Sequence, residues 1–490
     1  MGHPIIDSLL RHIRSGTYPM HVPGHKQGRG SDTIAADLIA QYLYKMDLTE
    51  IPGLDDLQKP SECIAKTEEE AARLFGADRS FLLVNGSTVG VEAAIMATCR
   101  PGSKIAIPAA VHRSVIAGLA LSGAEPVFVD TPVSHRYLIP LGVSPADVER
   151  SLSAETGISA VLVTNPSYYG VCQDLEAIAR VCHDRDAVLI VDEAHGSHLS
   201  FSSSLPAAGL EAGADIVVQS THKTLGAMTQ AALLHVKGDR VDHERIASFL
   251  RMLQTSSPSY VLMASLDSVI HRFSMEGREL VACAVQNANE VRESLGSMAG
   301  VDVLSAGDIG PMFALDPTRL TISAADRGVL GLELQERLRI RGFQVEFSDL
   351  LNSIAVITYS DAAADLQRFC SAVRHAVAES PVDASIAEGL CEKIRPLVAG
   401  AAVEERRFAL TIREAVFTGR RLVNLDESVG EISAESVCPY PPGIPVLLPG
   451  QRITRPIVDL VKTLLRAGLV FHGMNVDKGS YSLAIVDGDS

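Results

Sequence analysis

The stretch Ala214-Asp215-Ile216-Val217-Val218-Gln219-Ser220-Thr221-His222-Lys223-Thr224-Leu225 decides the fold. Its apolar run has the length of a buried strand. The run stops at Ser-Thr-His, and a lysine follows just past the strand end. Runs of the same kind occur at Phe81–Val84, Lys104–Ile107, Val127–Val129, Ala160–Val163, Val188–Val191 and Ala231–Val236. Between several of them lie helix-period segments, at Val89–Cys99, Val111–Leu121 and Leu175–Cys182. Short apolar strands alternating with helices predict an α/β domain whose mostly parallel sheet is covered on both faces. Ligands of such a sheet collect at the C-terminal ends of its strands.

Outward from this core, helices are expected over Ile5–Arg14 and Ile64–Phe75, with a Pro- and Gly-broken loop, His21-Val22-Pro23-Gly24-His25-Lys26-Gln27-Gly28, between them. That loop reads equally as part of a site or as a basic surface loop. Residues 245–295 look helical and carry the chain towards another lobe. A smaller α+β unit follows, with strands at Thr318–Ile322, near Val345 and at Ile354–Thr358, and helices at Gly331–Ile340 and Ala363–Val377. Pro381 and Val382 open a linker. The last hundred residues hold helices at Val403–Glu414 and Ile457–Ala467 around the loop Cys438-Pro439-Tyr440-Pro441-Pro442-Gly443-Ile444-Pro445. The expected organisation is an N-terminal segment (1–45), a large domain (46–295), a small α+β domain (296–380) and a C-terminal domain (390–490).

At 490 residues, 47% hydrophobic and 21% charged, the chain has the make-up of a globular enzyme. Its net charge of −16 argues against nucleic acid or an anionic membrane as main partner. The eight cysteines are scattered, with no CxxC pair and no cluster at zinc spacing, so reduced thiols and a cytoplasmic setting are expected. No basic-then-apolar leader opens the sequence, and no apolar run is long enough to span a bilayer. With only ten lysines in the chain, few others compete with Lys223.

A lysine in low-dielectric surroundings has a depressed pKa and acts as an amine nucleophile, able to form a Schiff base with an aldehyde such as pyridoxal 5'-phosphate (PLP). Other parts of a PLP site are present. Gly86-Ser87-Thr88 follows a strand and opens a helix, where free N–H groups suit a phosphate; the same residues would serve a plain N-cap. Ser220 and His222 offer further donors. His112 starts the next helix, where its ring can stack on a planar cofactor or simply cap. Asp192 ends a buried strand and continues into Glu193-Ala194-His195-Gly196. A carboxylate there is costly without a cationic partner, and the PLP pyridinium is such a partner. Metal binding and a Ser-His-Asp arrangement are weaker alternatives, lacking a third ligand and a nucleophile turn. Asn165-Pro166-Ser167-Tyr168-Tyr169-Gly170 ends another strand and can line a pocket or pack. Asp192 and Lys223, 31 residues apart, each end their own strand. Phosphate cup, stacking residue, aspartate and lysine, in that order, point to a PLP enzyme of the aspartate-aminotransferase fold (fold type I).

With these residues placed, the sequence resembles the ornithine/lysine/arginine decarboxylase family, in its shorter form without the N-terminal wing domain. The resemblance rests on His21-Val22-Pro23-Gly24-His25-Lys26, Asn85-Gly86-Ser87-Thr88, Asp192-Glu193-Ala194-His195-Gly196, Ser220-Thr221-His222-Lys223-Thr224, Thr255-Ser256-Ser257-Pro258-Ser259-Tyr260, Asp316-Pro317-Thr318 and the loop from Pro439 to Pro445. It implies that Lys223 holds PLP, Asp192 pairs with the pyridinium, and His112 and Ala194 pack on the two ring faces. Ser87, Thr88, Ser220 and His222 would bind the phosphate. Residues Thr255-Ser256-Ser257 would reach a neighbouring subunit's phosphate, which implies a homodimer. Three positions depart from the family pattern: Ala109-Ala110 replaces Arg-Asn, Gln451 replaces a glutamate, and an arginine appears displaced to Arg272. The implied reaction is α-decarboxylation of arginine, lysine or ornithine, with a carboxylate among Asp47, Glu50, Asp55, Asp56 and Glu435 meeting the substrate's distal cation. Another PLP reaction (transamination, oxidation or elimination) is the first rival, and a non-catalytic partner protein the second.

Overall fold

The computed structural model describes residues 3–30, 33–378, 380, 381, 383, 385, 388, 389, 391–395, 408–440, 443–477 and 479–488. The chain opens with α1 (Pro4–Ser15), β1 (Tyr18–Met20), α2 (Thr33–Met46) and α3 (Cys63–Phe75). The α/β unit then runs β2 (Arg79–Leu83), α4 (Gly86–Thr98), β3 (Lys104–Pro108), α5 (Arg113–Ser122), β4 (Glu125–Val129), α6 (Pro145–Ala154), β5 (Ile158–Thr164), β6 (Val171–Gln173), α7 (Leu175–His183), β7 (Val188–Asp192), β8 (Ile216–Gln219), α8 (Thr221–Thr224) and β9 (Ala232–Val236). Seven strands form one sheet in the order β2-β9-β8-β7-β5-β3-β4. All of its pairs are parallel except the two made by β9.

The sheet is apolar on both faces, which is why its strands read as continuous hydrophobic runs. Val161, Val163, Leu189, Val191, Val217 and Leu233 face one core. Leu162, Ile190, Ile216, Val218 and Leu234 face the other. Each such side chain, fully buried, contributes about 1.5–3 kcal/mol.

Two helices follow, α9 (His243–Leu253) and the 37-residue α10 (Tyr260–Gly296). The helical stretch expected over 245–295 is therefore broken at residues 254–259, where Ser259 caps α10 by accepting from Leu262 N. Along α10, Met263, Leu266, Ile270 and Phe273 pack into the core under the sheet. Ala288, Val291 and Leu295 pack into a second core. The chain then runs β10 (Asp302–Val303), α11 (Ala306–Ile309), β11 (Phe313–Leu315), β12 (Arg319–Ser323), α12 (Gly331–Ile340), β13 (Phe343–Val345), β14 (Phe347–Ser348), β15 (Asn352–Val356) and α13 (Ala363–Val377). β10, β12, α12, β13, β15 and α13 supply most of that second core, while Ile309, Phe313 and Phe347 join a separate cluster with Tyr137 and Tyr169.

Towards the C-terminus, an antiparallel sheet of Arg420–Asn424, Ser480–Val486 and Met474–Asp477 packs with the helix Arg455–Arg466. Of the helix expected over Val403–Glu414, residues 403–407 lie outside the described residues. The helix that is described there runs Ile412–Phe417.

Two helices of ten or more residues were not expected from the sequence, α2 and α6. The boundary expected between residues 45 and 46 falls in the last turn of α2. The N-terminal segment is also tied to the small unit, because β1 pairs with β13 in parallel. Lys26 locks this junction. It is fully buried and donates to the carbonyls of Pro19, His21 and Val356 at 3.0, 3.2 and 2.8 Å. Its ammonium lies 3.7 Å from Asp361, which also accepts from Tyr18 Oη. Replacing Lys26 with Met leaves three carbonyls and a carboxylate buried without their cation. The variant should lose roughly 3–5 kcal/mol, read as a lower urea midpoint at unchanged slope.

Candidate functional site

The register of the sheet assembles the site. Thr164 pairs with Asp192, and Asp192 with Val218, so β5, β7 and β8 end at one level. The turn after each strand therefore opens at the same edge. From β7 it presents Asp192 and, two residues on, Ala194 and His195. From β8 it presents Ser220 and the short helix carrying His222 and Lys223.

Lys223 is half-buried, and its Nζ lies 2.9 Å from Nε2 of His195. Burial pulls the lysine pKa down to about 8, although nearby Asp192 opposes the shift. Burial also raises Asp192, against the pull of Lys223 and a hydrogen bond from Ala194 N at 3.2 Å. That N–H is the one hydrogen-bond donor to the Asp192 carboxylate among the described contacts. A carboxylate so buried calls for a cationic partner. His195 is held well below its ordinary value, by burial first and then by Lys223, and its Nδ1 has no partner. The Tyr168 ring meets His195 edge-on at 5.0 Å.

An anion-binding corner adjoins this pair. Helix α4 starts at Gly86, and Asn85 makes no side-chain cap. Ser87 and Thr88 thus sit in a first turn whose N–H groups no capping side chain takes up. Ser220 Oγ donates to Ser87 Oγ at 2.8 Å, which joins the two segments expected to share a phosphate. His222 bonds the Ala231 carbonyl through Nδ1 at 3.1 Å, and burial lowers it to about 4. The hydroxyls of Thr221 and Thr224, on the same turn as Lys223, are buried and unpartnered.

His112 caps α5, accepting from Ser114 N through Nδ1. Burial, then Lys223, lowers its pKa to about 4, so its ring is neutral and free to stack. Ala194 is buried beside Asp192. The residues present thus fit a planar, phosphorylated, pyridinium-bearing group: a donor corner, a lone buried carboxylate and a half-buried amine.

Several residues around the centre were not singled out from sequence. His195 stood only inside a quoted motif. Arg319 lies one residue past the Asp316-Pro317-Thr318 motif and is fully buried. The loop holding Gly24 reads equally as site or surface, and Gly24 N donates to His222 O at 2.8 Å. A Cβ on Gly24 would lie 2.9 Å from Lys223 O. Arg272 is tied beneath the same turn. It lies over the Tyr359 ring at 5.1 Å, and Tyr359 Oη donates to Leu225 O.

Of the acidic candidates, Asp55 is engaged by backbone N–H groups from Asp56, Ser61, Glu62, Ile64 and Ala65. Glu435 pairs with Arg420. Asp47 and Asp56 are exposed. Glu50 accepts from Thr49 on one oxygen, while its other oxygen is buried without a partner. Among the departures, Gln451 is buried in the C-terminal unit and accepts from Leu448 N, a turn role remote in kind from the Lys223 cluster. Ala109 and Ala110 line a cavity of about 210 Å³ with Tyr137, Tyr169, Leu351 and Ile444.

A lysine whose folded pKa lies below its unfolded value gives up a proton that the unfolded chain binds. Stability therefore rises with pH between about 8 and 10.5, and the charged group costs stability below that window. In the cofactor-free protein, Lys223→Met should be more stable than the native chain at pH 7, by up to about 3 kcal/mol. Urea titrations at pH 7 and pH 10 should show the difference shrinking at the higher pH.

Comparison with known proteins agrees with this geometry. The model of the Orn/Lys/Arg decarboxylase major domain matches residues 3–365, and that of the Orn/Lys/Arg decarboxylase C-terminal domain matches residues 406–483. The arginine decarboxylase of Bacillus subtilis (strain 168) is 34% identical over 96% of this chain and 95% of its own length. The inducible lysine decarboxylase of Escherichia coli (strain K12) is 24% identical over 98% of this chain and 80% of its own. Among solved structures, the constitutive lysine decarboxylase of E. coli superposes with a TM-score of 0.76 at 20% identity, covering 99% of this chain and 82% of that one. An SPT chain with PLP shares the fold at a TM-score of 0.55 and 17% identity, over 74% of this chain and 88% of that one. The chain belongs to the Orn/Lys/Arg decarboxylase family.

Proposed function

We propose that this protein removes the α-carboxylate of a basic amino acid (arginine, lysine or ornithine) as CO2, using PLP and leaving the corresponding amine. The single observation that carries the reading is the pairing of half-buried Lys223 with buried Asp192 at one sheet edge, in a chain of this family. PLP, when bound, supplies a sink for the electron pair left at Cα as CO2 departs.

The chain's own residues do the rest. Lys223 anchors the cofactor through its lowered amine, which is available as a nucleophile near neutral pH. Asp192 holds the pyridinium proton. Ser87, Thr88, Ser220 and His222 hold the phosphate. His112 and Ala194 bracket the ring. A proton must return to Cα after CO2 leaves. Lys223, in contact with His195 Nε2 at 2.9 Å, is placed to deliver it and to be resupplied. Glu50, with one unpartnered carboxylate oxygen, is our choice for the substrate's distal cation.

We further propose a homodimer. Helix α1 buries none of its residues, and Ile5, Leu9 and Ile13 are 76%, 58% and 65% exposed on it. So wide an apolar face suits a second copy. The free thiols agree with a cytoplasmic enzyme, and no described helix is long and apolar enough to cross a membrane.

Incubation of the PLP-loaded protein with each of the three amino acids should yield CO2 and the matching amine in equal amounts. Keto acid or ammonia without amine would favour a different PLP reaction, and no product from any of them would sink the reading. Lys223→Ala should lose the borohydride-sensitive yellow chromophore. Asp192→Asn should lower kcat by roughly 100- to 1000-fold. Glu50→Gln should raise KM by about 10- to 100-fold, the weight of one charge-assisted contact.

A further inference from the structure

A row of buried polar side chains crosses the apolar core under the sheet, and the proposed reaction does not use it. Glu193 directly follows Asp192, just past the end of β7. Its two carboxylate oxygens accept from Gly209 N at 2.6 Å and from Gln219 Nε2 at 2.7 Å. Gln219 Oε1 meets His235 Nε2 at 3.2 Å, and His235 Nδ1 meets Ser80 Oγ at 2.7 Å. The row thus runs from the end of β7 through β8 and β9 to β2. Glu193, Gln219, His235 and Ser80 are each at most 1% exposed. Their neighbours on that face, Val191, Val217, Leu233 and Leu82, are core aliphatics. A polar row in such a place is costly unless every member is bonded, and each one is.

Glu193 cannot shift without moving the site. A Cβ on Gly196 would lie 2.7 Å from Glu193 Cγ, and one on Gly209 3.2 Å from Oε2, so the side chain fills the space that two glycines leave. Its backbone N–H donates to Val218 O at 2.9 Å, and its side chain holds Gln219. The residue after Asp192 is therefore bonded to the two residues before Ser220. Ser220 opens the turn that carries Lys223, and Lys223 N donates to Ser220 O at 3.0 Å. Side chains of a strand alternate between faces, so Asp192 points away from this core. The row supports the site from beneath without touching it.

Two complete sets of bonds are open to these groups. With Glu193 ionised, Gln219 donates to it, Gln219 Oε1 accepts from His235 Nε2–H, and Nδ1 accepts from Ser80. With Glu193 protonated, its O–H donates to the oxygen of a turned Gln219 amide. That amide then donates to Nε2, and Nδ1–H donates to Ser80. Gly209 N keeps an acceptor in both. The states differ by one proton, taken from solvent at Glu193, and the imidazole carries its single N–H on the other nitrogen. His235 does not take up the proton itself, because burial pulls its pKa down to about 3. Burial raises Glu193 to about 8 against the bonds from Gln219 and Gly209, and the charges of Glu211 and Asp192 add to the rise. The buried Cys172 thiol also lies within reach of its charge.

We propose that Glu193 is a positioning residue for the Lys223 turn, acting through Gln219, and that its carboxylate holds the row in one donor direction and its carboxylic acid in the reverse. In the ionised direction a charge-assisted bond, the stronger kind, draws the end of β8 against β7. The turn then sets Lys223 in its working place. In the reversed direction the same rung is a neutral bond, and the turn is held less firmly. The effect on turnover rests on the decarboxylase reading, whereas the direction of the row does not.

The test has two arms. In the cofactor-free protein, made with isotope-labelled histidine, NMR reads the His235 tautomer, with His235→Asn identifying its signals. Native protein should carry the proton on Nε2 at pH 10 and on Nδ1 at pH 6. Glu193→Gln, of the same shape without the charge, should show Nδ1–H at both. Exchanging the pair, Glu193→Gln with Gln219→Glu, leaves a carboxylate that accepts from Nε2–H and should return that tautomer at pH 10. In the PLP-loaded enzyme, Glu193→Gln should lower kcat by roughly 10-fold, with KM and PLP content within about twofold of native. The exchanged pair should recover most of kcat. A lower urea midpoint with unchanged kcat would mean a purely structural row and overturn the positioning role. One tautomer at both pH values in the native protein, or Nε2–H kept in Glu193→Gln, would overturn the two directions. If the exchanged pair does not fold, Glu193→Gln decides alone. Should the native enzyme release no amine from any of the three amino acids, the decarboxylase reading fails separately. The positioning role is then read from the rate at which the cofactor-free protein takes up PLP at Lys223, which Glu193→Gln should slow by a similar factor; an unchanged rate overturns it.

Discussion

The pairing of β5, β7 and β8 is the constraint on which the rest of the structure depends. Because Thr164, Asp192 and Val218 stand side by side, three chain reversals open at one edge. A one-residue slip would turn Asp192 into the opposite core and carry the Ser220–Lys223 turn away from it. The apolar faces prevent that slip. Val191 and Val217 belong to one core, and Ile190 and Val218 to the other. Hydrophobic packing far from the chemistry thus fixes where the carboxylate and the amine meet.

That meeting place is largely buried, and burial sets its electrostatics. Burial raises Asp192 and lowers Lys223, His112, His195 and His222. Each charged form is disfavoured, and each is partly rescued or further opposed by a named neighbour. Histidines that would titrate near neutral pH in water stay neutral here, so they serve as stacking or hydrogen-bonding groups.

Much of this was legible from residues alone, for local reasons. Helices α12 and α13 fall on the expected residues, because their apolar period and flanks are written within a few turns. The strands ending at Asp192 and before Lys223 were legible because a doubly buried strand leaves a continuous apolar run. Helix α6 was missed although Ser144 and Asp147 form a capping box around Pro145; a short amphipathic helix between strands gives a weak period. The antiparallel direction of β9 is set by its connection and neighbours, which its own residues do not encode. Arg319 and His195 escaped notice for a related reason. An arginine in a strand and a histidine after an aspartate look like ordinary surface residues until tertiary packing buries them. Lys26 was left open, since a lysine in a Gly- and Pro-rich loop reads equally as part of a site or as solvated, and it proves to be a buried tie.

The departures from the family pattern sort by location. Gln451 closes a turn in the C-terminal unit, where an amide serves the Leu448 N–H without burying a charge. Arg272 braces the segment that carries Lys223 by way of Tyr359. Ala109 and Ala110 act differently, because they border open space. Their cavity is walled by tyrosines and aliphatic side chains, and its one carboxylate, Asp349, is taken up by Asn352 and Leu351. A space of that character cannot solvate an ammonium or guanidinium end. None of Lys223, Asp192 and His112 lines that space. The two alanines thus border an apolar cavity, while the register that holds Asp192 and Lys223 together is untouched.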